Sequence, residues 1–200
     1  MSSNLMADIN SFFRNPSTKP VIPGTFSQLY LLRRDISTCF GIDPNNGQHL
    51  STQALWPGVM AICAGIDLLG KFVEGNDKQG EVGIRFRNFL KTYFDISESE
   101  AETIYQLRNS LLHSFGLYSE VTDKKTGNVR VYRFALDKGL GALITDLGSD
   151  TYLIDIEILR TEFEKAIAGY EAQLRAATLQ TKFANMFPKH LGIDVCLQRQ

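Results

Sequence analysis

Residues 97–121 read SESEAETIYQLRNSLLHSFGLYSEV. Two periodicities meet in this stretch. Up to Phe115 the apolar residues Ile104, Leu107, Leu111 and Phe115 recur every three or four positions, the spacing of one helix face, with Leu112 flanking them. Beyond Gly116 the period shortens to two. LYSEVTDKKTGNVRVYRFALD alternates on either side of a DKKTGN turn, which predicts a β-hairpin with strands near 117–122 and 129–135. Serine three residues ahead of glutamate, at Ser97/Glu100 or Ser99/Glu102, marks the helix start as a capping box, and the acidic first turn suits the helix dipole.

Working outward, the N-terminal side reads as helices. Residues 3–14 predict a short one, ended by the proline-rich NPSTKPVIPG. Thr25 or Ser27 can cap a second, running to about Phe40 with Leu29, Leu32 and Ile36 at helical spacing. After the loop GIDPNNGQH, Pro57 suits the first turn of a nearly all-apolar helix over 57–74, closed by Gly75. Residues 81–94 predict another, with Ile84, Phe86, Phe89, Leu90 and Tyr93 facing inward. On the C-terminal side, LGALITDLGSDTYLIDI adds one or two strands, and a long amphipathic helix over 155–183 carries Ile158, Phe163, Ile167 and Leu174 on one side. The expectation is a mainly α fold: an antiparallel helical bundle with a small β-hairpin or sheet insertion before its last long helix. A length of 200 residues suits one domain. Its parts would be an arm and linker at 1–24, a helical core at 25–115, the β insertion at 117–154 and the final helix at 155–187.

Composition narrows the function. The formal net charge of −1 supplies no global field for nucleic acid, so any such contact must rest on a local patch. Cys39, Cys63 and Cys196 are odd in number and lack CxxC spacing, which points away from a disulfide framework. His49, His113 and His190 show no zinc-ligand spacing, and the glycines of GLGAL lack GxGxxG, so neither a metal nor a cofactor is expected. MSSNLMADINSFFRNPS does not read as a secretory leader, and VMAICAGIDLLGKFV is interrupted by Asp67 and short for a bilayer. A cytoplasmic protein without membrane contact is the expectation.

Chemistry concentrates at RNSLLH, residues 108–113. On a helix, Asn109 and His113 share the polar side at i,i+4, while Arg108 falls near the apolar stripe. A cation there needs a partner: a carboxylate, a phosphate or a second subunit. Histidine transfers protons near neutral pH, and arginine grips phosphate oxygens bidentately. The plainer alternative pairs Arg108 with a structural carboxylate and leaves His113 as a surface residue at a helix C-terminus. Two basic stretches are further RNA-contact candidates: Arg85 and Arg87 on the 81–94 helix, and Lys124 and Lys125 in the hairpin turn.

YQLRNSLLH, near the end of its helix, resembles the Rx4–6H signature of HEPN domains, in which a polar residue, often Asn, follows the Arg. The resemblance spans the helices over 25–115 and the final helix. It implies a metal-independent endoribonuclease with Arg108 and His113 as catalytic residues and Asn109 in support. It further implies a homodimer whose two motifs face each other across a shared cleft, RNA as substrate, and an antitoxin protein as partner in a toxin–antitoxin or defence setting. Other HEPN members are non-catalytic interaction or nucleotide-binding modules, which is the second reading. Where some members continue the motif to RxxxxHxY, this chain has Phe115, and its nearest tyrosine is Tyr118.

Overall fold

The computed structural model describes residues 3–17, 26–123 and 125–190. Within them the chain forms α1 (Ser3–Phe12), α2 (Gln28–Cys39), α3 (Leu55–Glu74), α4 (Val82–Tyr93), α5 (Glu98–Ser114), β1 (Tyr118–Thr122), β2 (Val129–Asp137), β3 (Ile144–Asp146), β4 (Thr151–Asp155), α6 (Ile156–Arg175) and α7 (Gln180–Met186). A 3-10 turn, Phe187–Lys189, follows. Internal contacts divide the chain into two compact units, residues 1–82 with 167–200, and residues 83–166.

The first unit is helical. Its α2 begins at Ser27, whose hydroxyl accepts the Tyr30 N–H at 3.0 Å and donates to the Phe12 carbonyl at 2.9 Å. One side chain therefore caps α2 and ties off the end of α1. Phe12 then enters a ring cluster with Phe72, Phe183 and Phe187, at centroid separations of 4.5, 5.5 and 6.1 Å. On α3, Gly58 lets the Phe40 ring sit 2.7 Å from where a Cβ would stand, so α2 and α3 pack closely. The helix itself runs further than the apolar stretch 59–73. Its 20 residues are long and apolar enough to cross a membrane by length and composition, and 56% of its most apolar window is buried in the fold.

The second unit is built on a sheet of order β1-β2-β4-β3. β1 and β2 are the expected hairpin, antiparallel, with Tyr118 opposite Arg133 and Ser119 opposite Tyr132. β4 pairs with β2 in parallel and with β3 antiparallel. A parallel pair needs a long connection, and residues 138–150 supply it with β3 inside. Alternate residues Tyr132, Phe134, Tyr152 and Ile154 are buried, so one sheet face forms a core. α5 packs against β1 and β2, and its buried Thr103, Gln106 and Ser110 lie on a different side from its apolar stripe.

This corrects the expected fold class. The molecule is mixed α/β, with a four-stranded mixed sheet, not a mainly α bundle carrying an insertion. The physical reason is the parallel β2–β4 pairing. It turns an isolated hairpin into a sheet wide enough to bury a face of aromatic residues and take a helix against it. Two smaller corrections follow. The long last helix stops at Arg175, because Ala177 and Leu179 take positive φ of 64° and 61°, and α7 restarts at Gln180. On α4 the buried face is Arg85, Phe86, Phe89 and Leu90, while Ile84 is 54% exposed.

Asp155 joins sheet to helix. Its Oδ1 accepts the N–H groups of Glu157 and Ile158, both at 2.9 Å, and its Oδ2 accepts that of Leu140 at 2.7 Å. It thus caps α6 and fastens the loop ahead of β3. Burial opposes its ionisation, yet the backbone donors of Ile158, Leu140, Glu157 and Gly139 outweigh burial and hold the carboxyl below its ordinary value of 3.8. Asp155→Ala should cost about 2–4 kcal/mol, combining a lost cap with unpaired buried donors. A depressed folded value also means that Asp155 stabilises fully above the unfolded carboxyl range, and that this contribution fades as pH falls through the folded value. Urea denaturation against pH should therefore show a shallower acid limb, below about pH 4, for Asp155→Asn than for wild type.

Candidate functional site

The α4–α5 hairpin sets the register of the site. Lys91 pairs with Glu98 beside the turn, and Arg87 pairs with Glu102 at 3.0 Å one helical turn further away. Solvent screens such exposed pairs, so they select register more than they stabilise. Gly83 has no Cβ, which lets the Tyr105 ring approach to 2.7 Å of that position. The Arg87 guanidinium lies over the same ring, 4.8 Å from its centroid.

Along α5, Glu102, Gln106, Asn109 and His113 fall at i, i+4, i+7 and i+11, which is one stripe of a helix. Gln106 is its centre, 3% exposed. Its Nε2 donates to Glu102 Oε1 at 2.6 Å, and its Oε1 accepts from Ser119 Oγ of β1 at 2.8 Å and, more weakly, from Asn109 Nδ2 at 3.4 Å. Asn109 Oδ1 in turn accepts from Arg108 Nη1 at 3.1 Å. The same Nη1 lies 2.9 Å from His113 Nε2. A guanidinium can only donate, so in this contact Nε2 is the acceptor and the neutral ring carries its proton on Nδ1.

His113 and Asn109 face an open groove of about 670 Å³, walled on one side by α5 and on the other by Tyr118–Val121 of β1. Among the described residues lining it, Glu120 is the formally charged one, and none is Lys or Arg. The Tyr118 hydroxyl donates to Glu120, and that hydrogen bond pushes the Tyr118 phenol above its ordinary value. Behind His113 the helix ends abruptly. Phe115 takes φ 47°, and the Gly116 N–H returns to the Ser110 carbonyl at 3.1 Å. The left-handed residue swings Phe115 off the apolar stripe where the helical spacing had placed it, and leaves it 74% exposed.

Of the residues singled out from sequence, Arg108, Asn109 and His113 are brought together. Arg85 is not at a surface but buried, 3% exposed. Arg87 is engaged by Glu102 and Tyr105 and is linked to the motif through Glu102 and Gln106. Lys125 is exposed in the hairpin turn, whose backbone is ordered by Asp123, and Lys124 lies outside the described residues. Gln106, Ser119 and Glu120 were missed. The i, i+4, i+7, i+11 spacing was the signal for Gln106; nothing local announced the other two, which arrive through strand pairing. Among the described residues no group of three or more His, Cys, Asp or Glu could hold a metal ion.

Gln106→Leu should lower stability by about 1–3 kcal/mol, because it strands the Ser119 hydroxyl and the Asn109 amide against the sheet. Ser119→Ala should cost less, and the double variant should cost less than the sum. Urea midpoints would read all three, and an effect of Gln106→Leu under about 0.5 kcal/mol would show that the amide is not central. In comparisons with known proteins, no protein-family model, no curated protein and no solved structure matches the chain.

Proposed function

We propose that the groove at the end of α5 is a metal-independent RNA-cleaving site, in which His113 transfers protons and Arg108 holds the scissile phosphate. The observation that carries this reading is the 2.9 Å approach of Arg108 Nη1 to His113 Nε2 at an open groove. The resemblance to the HEPN signature supports it through Arg108, Asn109 and His113 alone; the bundle that the resemblance implied is not carried over.

The reaction requires little beyond these groups. The ribose 2′-oxygen attacks phosphorus, the bond to the 5′-oxygen breaks, and a 2′,3′-cyclic phosphate results. The 2′-hydroxyl proton must leave to a base, the 5′-oxygen must gain a proton, and charge gathers on the non-bridging oxygens. In the unbound site Arg108 occupies the Nε2 lone pair of His113. A phosphate offers two oxygens in the fork geometry that guanidinium prefers, so its arrival draws Arg108 away and frees Nε2 to accept the 2′-hydroxyl proton. Asn109 keeps the guanidinium stationed between the two positions. One chain supplies one imidazole here. A two-fold homodimer would place a second His113 where the leaving oxygen needs its proton, and a partner protein that covers the groove would act as inhibitor.

One observation favours the second reading, a non-catalytic interaction or nucleotide-binding module: the groove carries Glu120 and no Lys or Arg among the described lining residues. Activity separates the two. Purified protein should cut single-stranded RNA in excess EDTA and leave 2′,3′-cyclic ends. His113→Ala should slow cleavage by roughly 10²–10⁴-fold and Arg108→Ala by roughly 10²–10³-fold, with both variants folded. If total cellular RNA stays intact with wild type, or His113→Ala cuts as fast, the reading fails. Light scattering should further return twice the 22.4 kDa chain mass at micromolar concentration, and a monomer would remove the two-histidine arrangement.

A further inference from the structure

Phe115 breaks two regularities at once. It closes α5 in the left-handed conformation, where glycine is usual because it lacks a Cβ, and it turns 74% of a large apolar side chain to solvent. The left-handed backbone serves to close the helix, but a glycine would do that as well, and the exposed ring adds nothing to the core. Three residues on, Tyr118 is a second exposed ring, 46% accessible, in the wall of the groove that holds His113. Its hydroxyl is tethered to Glu120, which fixes the ring. The strand register sets Tyr118 opposite Arg133, whose guanidinium lies 5.9 Å from the ring centroid. Tyr118 thus shares the groove with the imidazole and stands near Arg133, while Phe115, two residues beyond His113, is a second exposed ring on the same compact unit.

We propose that Phe115 and Tyr118 form a stacking platform for unpaired bases of an RNA strand entering the groove, with Arg133 as a flanking phosphate contact. The substrate class is then single-stranded RNA and not duplex. This inference rests on the RNA-cleaving reading of the same site. Bases within a duplex are stacked on one another and offer no free face, whereas a single strand can splay its bases onto aromatic rings. Stacking also answers the electrostatic difficulty of the site. A chain of net charge −1, with no Lys or Arg among the described groove-lining residues, cannot draw a strand in by phosphate attraction alone. Every base has a π-face, so such a platform is tolerant of sequence.

The test uses the whole protein and two 12-nucleotide strands that cannot be cleaved. One is a 2′-O-methyl oligonucleotide, and the other has the same backbone with its central bases removed. Wild type should prefer the base-bearing strand by about tenfold or more, and a duplex of the same sequence should bind as weakly as the abasic strand. Phe115→Gly should fold at least as stably as wild type, since glycine suits the left-handed position, yet should lose about fivefold or more in affinity. Tyr118→Ala should do likewise, and Phe115→Trp should retain binding. In Phe115→Gly with Tyr118→Ala the preference for the base-bearing strand should vanish. Equal affinity of wild type for both strands, or unchanged affinity in the double variant, overturns the platform. If wild type still cleaves RNA in either case, the platform alone has failed; if it neither binds nor cleaves RNA, the RNA reading has failed with it.

Discussion

A primary amide inside a protein must satisfy both its oxygen and its nitrogen or cost several kcal/mol, and Gln106 meets that demand from both sides of α5. Its nitrogen is met by Glu102, which α4 holds through Arg87; its oxygen is met by Ser119 of β1 and by Asn109. Helical hairpin, sheet and motif are therefore tied at one buried side chain. Rotation of α5 that kept its apolar stripe inside but broke this node would leave unpaired polar groups against the sheet. The rotation of α5 fixes in turn where His113 points.

What the node delivers is a restrained pair of groups, not a charged cavity. Arg108 is kept on His113 and Asn109 by hydrogen bonds within α5. A ligand with a bidentate anion can claim the guanidinium, and only such a ligand exposes the imidazole lone pair. A described lining with no Lys or Arg, whose Glu120 is tethered to Tyr118, leaves recognition to shape and aromatic contact instead of bulk charge.

Much of the helical framework was legible because its signals are local. The Ser97/Glu100 capping box forms as the spacing indicates, Ser27 caps α2, and Gly75 ends α3 in the left-handed conformation. The hairpin was legible for the same reason, since DKKTGN turns within a few residues of both strands. The parallel pairing of β2 with β4 was not, because no local pattern encodes a contact made across residues 138–150. That single omission produced the wrong fold class. It also hid the second buried side of α5: Thr103, Gln106 and Ser110 look like solvent-facing residues until a sheet stands against them. Helix geometry grouped Asn109 with His113 but set Arg108 near the apolar stripe; its long side chain reaches round to both. The outward Phe115 was not, since one φ of 47° decides it. Arg85 and Ile84 exchanged their expected places by a small rotation of α4 that apolar periodicity does not resolve.

The central claim is that a phosphate-bearing strand competes with His113 for Arg108. The ¹⁵N resonances of the His113 imidazole report this contact directly, at a pH where the ring is neutral. Saturation with an uncleavable 2′-O-methyl oligonucleotide should shift the Nε2 resonance as the Arg108 hydrogen bond is withdrawn, and Arg108→Ala should show the withdrawn position before any strand is added. An Nε2 resonance that stays fixed at saturation, while the strand binds elsewhere or not at all, would contradict the claim.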